Sequence, residues 1–365
     1  MGSKSKGADP VLPEGFDKIK EIGRRGRQKR VFLTQWVTMQ RSVVLKYFKD
    51  PHTRKESTAK ELVAHPMFSD HPNIIETHLI HNEHGEPFLI EKEIYPLHDK
   101  IRLDGADTAV SLVRDISSAL IFLQKKTYVH GDIKPDNLGI DGGKFILMDF
   151  GVCRRQSELS PGDQTGTLRT CAPEVLAEQE SPNHLSDLWA LGATLFKLCT
   201  GRFPLVMPNE ELRLSRLHGR DRDRASLRLR KRTENKSWDK FFWDDRSAWK
   251  LIPAPLQDLM RKILCRDPKC RPSANEVVRT CEQSLAPYCF EDSSQWTIPS
   301  RGELREIIDM FKILGIDSQN IRSRVSFLTG QRYRERLNTI KNREFENLTK
   351  AELDFISNIT KALKI

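Results

Sequence analysis

The sequence predicts an α+β protein of two lobes, a small strand-rich front followed by a larger helical back. Three observations carry this. The 365 residues suffice for two or three domains with an ample core. Residues 14–95 hold short β-like runs, Val31 to Leu33, Ser42 to Tyr47 and Phe88 to Ile90, interrupted by one helical stretch near Ser57 to Phe68. Residues 96–290 switch to helical spacing. There Val110, Val113, Leu120 and Leu123 recur on one face, as do Leu188, Leu191, Leu195 and Leu198. The second run stops at Gly201, the residue type that closes a helix in a left-handed turn. A cleft between the two lobes is the expected arrangement.

The flanks differ in kind. Residues 1–13 are small, polar and Lys-bearing, and read as a disordered tail. Residues 205–250 interrupt the helical part with Arg-rich and Trp-rich sequence of little periodicity. Residues 291–365 read as a separate helical extension, with capping-box spacings from Ser300 to Glu303 and from Thr349 to Glu352. Apolar residues make up 38% of the chain, without the run of about 18 that a spanning helix needs. Its seven cysteines are scattered, an odd number that fits no disulfide framework. Cytoplasmic placement is therefore the expectation, with the nucleus as the alternative in a eukaryote. A net charge of +10 favours acidic partners: nucleotides, nucleic acid or phosphoproteins.

The chemistry begins at a hairpin. Leu138-Gly139-Ile140 and Phe145-Ile146-Leu147-Met148 flank Asp141-Gly142-Gly143, a turn able to supply positive φ angles. Asn137 precedes the first strand and Asp149 follows the second. Paired strands lie about 5 Å apart, so an amide oxygen and a carboxylate meet at one end. Hard oxygen ligands of this type suit Mg²⁺, which fills its other positions with water and phosphate oxygens. Upstream runs His130-Gly131-Asp132-Ile133-Lys134-Pro135-Asp136-Asn137. A carboxylate near a metal–phosphate site can take a hydroxyl proton, and a lysine beside it can neutralise a transferring phosphoryl group.

That string resembles the catalytic loop of eukaryotic-type protein kinases, and Asp149-Phe150-Gly151 resembles their metal-binding motif. Val43-Val44-Leu45-Lys46 is similar to the strand whose lysine holds the α- and β-phosphates. Glu61, ten residues before His71-Pro72-Asn73-Ile74, is then the implied helix partner of Lys46, with Glu56 further upstream as the alternative. Ala172-Pro173-Glu174 resembles the end of an activation segment that starts at Asp149. Asp187-Leu188-Trp189 resembles the buried helix beneath the loop, and Arg271 the arginine that pairs with Glu174. The resemblance covers residues 14–290, with an N-lobe at 14–95 and a C-lobe at 96–290 that carries a basic insertion at about 205–250. It implies ATP and Mg²⁺ as cofactors, Asp132 and Lys134 as catalytic residues, and Asn137 and Asp149 as metal ligands. It implies nucleotide contacts at Gly23, Gly26, Val31, Lys46 and Glu61. Lys134 and Thr167 resemble the serine/threonine branch, Thr167 facing the catalytic loop. Ser157, Ser160, Thr165 and Thr170 are candidate phosphorylation sites in the activation segment.

Two departures stand out. The glycine-rich loop, Ile22-Gly23-Arg24-Arg25-Gly26-Arg27-Gln28-Lys29-Arg30-Val31, keeps two glycines and adds five basic residues, which either offer side chains in place of backbone for the phosphates or form a solvated basic turn. Gly131 stands where the family has the arginine that anchors an activation-segment phosphate, so this segment is ordered by something else or by nothing. These departures motivate an alternative reading, a pseudokinase scaffold that binds nucleotide or partners without efficient turnover. Against it stands the full set of Lys46, Asp132, Asn137 and Asp149.

Residues 213–232 contain nine basic residues against Asp221 and Asp223. A solvated flexible insertion competes there with a docking site for acidic protein substrates; nucleic acid is less favoured, because aromatics begin only at Trp238. The apolar positions of the extension, such as Ile307, Ile308, Phe311 and Leu314, call for a covering surface: the C-lobe, the extension's own helices, a regulatory partner or a second copy. No membrane partner is expected.

Overall fold

The computed structural model describes residues 11–22, 29–48, 62, 66–94, 96–97, 103, 106–163, 166–206, 214, 220–234 and 252–285. Gly23, Gly26, Glu56, Glu61 and Thr165, the 1–13 tail up to residue 10, most of the helical stretch at 57–68 and the whole 291–365 extension lie outside these residues. The chain divides into two compact units, residues 1–94 and 95–365.

The first unit is one antiparallel sheet. Its strands are β1 (Phe16–Glu21), β2 (Lys29–Trp36), β3 (Arg41–Phe48), β4 (Thr77–His81) and β5 (Pro87–Lys92), in the spatial order β1-β2-β3-β5-β4. Side chains alternate across a strand, so β3 sends Val43 and Leu45 to one face and Val44 and Lys46 to the other. Val43 and Leu45 join Phe32, Phe88 and Ile90 in a buried cluster, with Phe16, Trp36 and Tyr47 packed at its margin. The β-branched and aromatic content of these runs is what a pleated, half-buried surface selects. Burying one face fixes the register, because a one-residue slip would turn the cluster outward and Lys46 inward. In the observed register Val31, Lys46 and Leu89 lie opposite one another across β2, β3 and β5.

The second unit is mainly helical. Its helices are α1 (Ala106–Lys125), α2 (Pro173–Leu176), α3 (His184–Thr200), α4 (Arg220–Glu234), α5 (Ala254–Ile263) and α6 (Ala274–Gln283). Short strands β6 (Tyr128–Val129) with β9 (Arg154–Arg155), and β7 (Leu138–Asp141) with β8 (Lys144–Leu147), form two small sheets. α1 packs on α3, α6 and β8, and α3 also packs on α5. Helix α3 is buried from Ser186 to Leu198 all round, which marks it as a core helix. Asn183 and Ser186 cap its start reciprocally, and Gly201 ends it with φ 92°, as its sequence position anticipates. Among the described residues no helix is long and apolar enough to cross a membrane.

The basic insertion departs from its expectation. Between residues 205 and 250 the sequence shows little periodicity, yet α4 runs for 15 residues there. Ala225 and Leu229 are each 1% exposed, and α4 packs against α2. Ala225 and Leu229, four apart, put apolar surface on the buried side of the helix beside Ser226, and the surrounding arginines hide that signal in any average over the window.

Candidate active site

In the first unit the strand register explains Lys46. Its face also carries Glu91, two positions along β5 from the residue opposite Lys46. Such diagonal neighbours lie within reach of long side chains. Lys46 Nζ donates to Glu91 Oε1 at 2.5 Å, and the two side chains are 9% and 5% exposed. A buried charge needs a partner, and here the sheet itself supplies one. Glu91 was not singled out by sequence reasoning. The available signal was a lone carboxylate closing the apolar run Phe88-Leu89-Ile90. Arg30, one of the five basic residues of the glycine-loop region, is 7% exposed and donates through Nε (3.1 Å) and Nη2 (3.0 Å) to Glu21.

In the second unit the β7–β8 hairpin forms as expected, with Leu138 opposite Leu147 and Gly142 and Gly143 both at positive φ in the turn. The Met148 N–H donates to the Asn137 carbonyl at 2.9 Å, which carries the ladder one step past the strands. Asn137 therefore sits across from Met148, and Asp149 follows with φ 58°. A short turn of 3₁₀ helix, Pro135–Asn137, aims the Asn137 side chain back at Asp132. Its Nδ2 donates to the Asp132 carbonyl (2.7 Å) and to Asp132 Oδ2 (3.0 Å). With the nitrogen so engaged, the amide oxygen is the end left to act as a hard ligand. An amide oxygen and a carboxylate from adjacent hairpin ends are a donor set that fits Mg²⁺.

Asp132 is the hub. Lys134 Nζ donates to its Oδ2 at 2.5 Å, and Thr167 Oγ1 donates to its Oδ1 at 2.7 Å. Lys134 Nζ also reaches Thr167 Oγ1 at 3.3 Å. A carboxylate only accepts hydrogen bonds, so three donors from Lys134, Asn137 and Thr167 fix both of its oxygens. The structure thus brings together four of the sequence-predicted residues.

A buried frame holds this hub. Asp187, 3% exposed, accepts the backbone N–H groups of His130 (2.7 Å) and Gly131 (2.8 Å). Burial raises the Asp187 carboxyl to about 7, against the lowering effect of those two N–H groups. His130 is fully enclosed, its Nε2 3.1 Å from the Met148 carbonyl and its ring edge-on to Phe150 at 5.0 Å. Burial lowers the His130 imidazole to about 4, outweighing the nearby Asp132 carboxylate. Gly131 has φ 77°, a conformation that costs a residue with a Cβ about 1–2 kcal/mol.

The activation segment is anchored at its end by Glu174, 4% exposed and bidentate to Arg271 at 2.6 and 2.7 Å. Ser157 and Ser160 are exposed. Thr170, another of the candidate phosphorylation sites, is 2% exposed, its hydroxyl donating to the Thr167 carbonyl at 3.3 Å.

Comparison with known proteins agrees with this geometry. The protein kinase domain family model matches residues 16–281. Calcium/calmodulin-dependent protein kinase type 1B of Homo sapiens is 28% identical over 285 residues, 74% of this chain and 75% of that protein. Cyclin-dependent kinase F-3 of Oryza sativa subsp. japonica is 30% identical over 222 residues, 58% of this chain and 51% of that protein. Sperm motility kinase 2B of Mus musculus is 27% identical over 270 residues, 70% of this chain and 49% of that protein. The chain spans about half the length of the last two. With the family model covering most of the chain and the loop, hairpin and Glu174–Arg271 pair in the family's order, the chain belongs to the protein kinase family and has its two-lobed α+β fold.

Proposed function

We propose that this chain is a serine/threonine protein kinase, transferring the γ-phosphoryl group of ATP to protein hydroxyls. The observation that carries the reading is the closed network of Asp132, Lys134 and Thr167, with bonds of 2.5, 2.7 and 3.3 Å. It puts an acceptor-only group, a cation and a hydroxyl from the activation segment at one point. A serine or threonine side chain of a substrate is chemically the equal of the Thr167 hydroxyl that Asp132 now holds.

In this reading Asp132 aims the acceptor oxygen and takes its proton, a contribution of about 10²–10⁴ in rate. Lys134 neutralises charge on the transferring group. Lys46 holds the α- and β-phosphates, supported by its burial beside Glu91 and by Val31 across the strand. Glu61 is its proposed second partner. Asn137 and Asp149 would hold Mg²⁺, which when bound neutralises phosphate charge. The domain reading, a kinase domain at 14–290 with a helical extension at 291–365, is part of the same proposal.

The test is transfer from ATP to a mixture of peptides carrying serine, threonine or tyrosine. Wild type should label the serine and threonine peptides, and Asp132→Asn should lose about 10²–10⁴ in turnover while still binding ATP. Labelling of tyrosine peptides alone would overturn the acceptor assignment. Wild type no faster than Asp132→Asn would favour the scaffold reading.

A further inference from the structure

We propose that Arg222, on the basic helix α4, is a positioning residue that braces the activation segment against the catalytic loop and so sets Thr167 on Asp132 and Lys134. The inference rests on the kinase reading above and adds a part that the reading does not contain. Arg222 Nη2 donates to the carbonyl of Gly166 at 2.8 Å. Gly166 lies directly on the catalytic loop: a Cβ built on it would fall 2.1 Å from the Gly131 carbonyl oxygen and 3.0 Å from Asp132 Oδ1. With φ 80° as well, only glycine fits there. The next residue is Thr167, whose hydroxyl bonds Asp132. Arg222 therefore holds the peptide immediately before the residue that closes the catalytic network.

Helix α4 is built to deliver this contact. Arg222, Ala225, Ser226 and Leu229 recur at helical spacing on one side, and the last three are buried. The seat of the helix on α2 thereby turns Arg222 inward, while Arg224 on the same helix stays 77% exposed. A second observation points the same way. The Cys171 thiol is pushed up to about 12, chiefly by burial and then by Glu174, and the positive charge of Arg222 is felt there in the opposite sense. The guanidinium thus acts on the segment near both Gly166 and Cys171. Gly131 offers no anchor for a phosphate, and the catalytic loop holds the segment through Asp132 and Lys134 at Thr167. Arg222 adds a hold from the other side, with a permanent charge and no phosphate required.

The experiment combines hydrogen exchange with kinetics on the full chain, comparing Arg222→Ala, Arg222→Lys and, as a control, Arg224→Ala. The Thr170 amide, which donates to the Thr167 carbonyl at 3.1 Å, reports the segment; amides inside α3 report global unfolding. Arg222→Ala should raise exchange at Thr170 by roughly tenfold or more with α3 unchanged. Arg222→Lys should fall between it and wild type, and Arg224→Ala should match wild type. On a short serine peptide, Arg222→Ala should lower kcat by roughly tenfold or more while KM for ATP moves by less than about twofold. Added to Thr167→Ala, the same change should cost less than about twofold, since Arg222 acts through Thr167. Unchanged exchange at Thr170 would overturn the proposal, as would full multiplication of the two kcat effects. If Arg222→Ala unfolds α3 as well, Arg222→Lys carries the same comparisons. A wild type without transfer activity would refute the kinase reading instead, and the exchange arm would still decide whether Arg222 orders the segment.

Discussion

Replacing Arg271 by Met should cost about 4 kcal/mol of folding stability, and the structure shows why. The guanidinium has five N–H donors. Nε bonds the Cys265 carbonyl (2.8 Å), Nη1 bonds Glu174 (2.6 Å) and the Leu185 carbonyl (3.1 Å), and Nη2 bonds Glu174 (2.7 Å) and the Arg266 carbonyl (3.2 Å). All five are used, and the charge also stacks over the Trp189 ring at 4.9 Å. Met keeps most of the stem packing but removes every donor. The Glu174 carboxylate, 4% exposed, is then a buried charge without its counter-ion. Removing one partner of such a pair costs about 3–5 kcal/mol, and the orphaned carbonyls push the figure towards the middle of that range or above. Arg271→Lys keeps a charge but not the fork, and should cost about 2 kcal/mol. Adding Glu174→Gln to Arg271→Met should recover a large part of the loss, because the uncompensated charge goes with it. Urea unfolding followed by tryptophan fluorescence reads all four proteins, with exposed Arg266→Met as a control expected within about 0.5 kcal/mol of wild type. A loss below about 1 kcal/mol for Arg271→Met, or a double variant no more stable than the single one, would refute the reasoning.

Three further outcomes follow from the same geometry. Lys46→Met should lower stability by about 3 kcal/mol as well as turnover, because it strands Glu91, and Lys46→Met with Glu91→Leu should be more stable than Lys46→Met alone; equal stabilities in urea would show that the pair is not coupled. NMR titration should find the His130 ring neutral down to about pH 5, and a midpoint near its ordinary 6.5 would contradict its enclosure. Between about 4 and 6.5 the unfolded chain holds the His130 proton that the native state lacks, so this group makes stability rise with pH by about 3 kcal/mol. Asp187 works against it: its carboxyl, raised to about 7, makes stability fall as pH climbs from 3.8. Phosphatase-treated protein and the Ser157→Ala, Ser160→Ala variant should both keep most of their activity in peptide assays, since the Arg222–Gly166 contact contains no phosphate; a loss restored by rephosphorylation would point to a phosphate anchor.

Much of this protein is legible in one dimension because its chemistry is local. Asp132, Lys134 and Asn137 lie within six residues, and a hairpin carries Asn137 to Asp149 through a turn that Gly142 and Gly143 alone make plain. Short apolar runs marked β3 and β5, period-3.6 apolar spacing marked α3, and Gly201 marked the end of α3 where the chain does turn left-handed. The contacts that only the folded chain decides are those of long sequence separation. Glu91 meets Lys46 across 45 residues because β3 and β5 pair in one register, which no spacing rule encodes. Arg222 meets Gly166 across 56 residues because Ala225 and Leu229 seat α4 on α2, a signal drowned by arginines whose charge suggested a solvated run. Thr170 looked like any loop hydroxyl until the turn at Thr167 closed over it. Sequence determined which candidate groups stand close together, since their types and short spacings are written in it; tertiary structure decided what holds them, since a partner is chosen by packing in space and not by position along the chain.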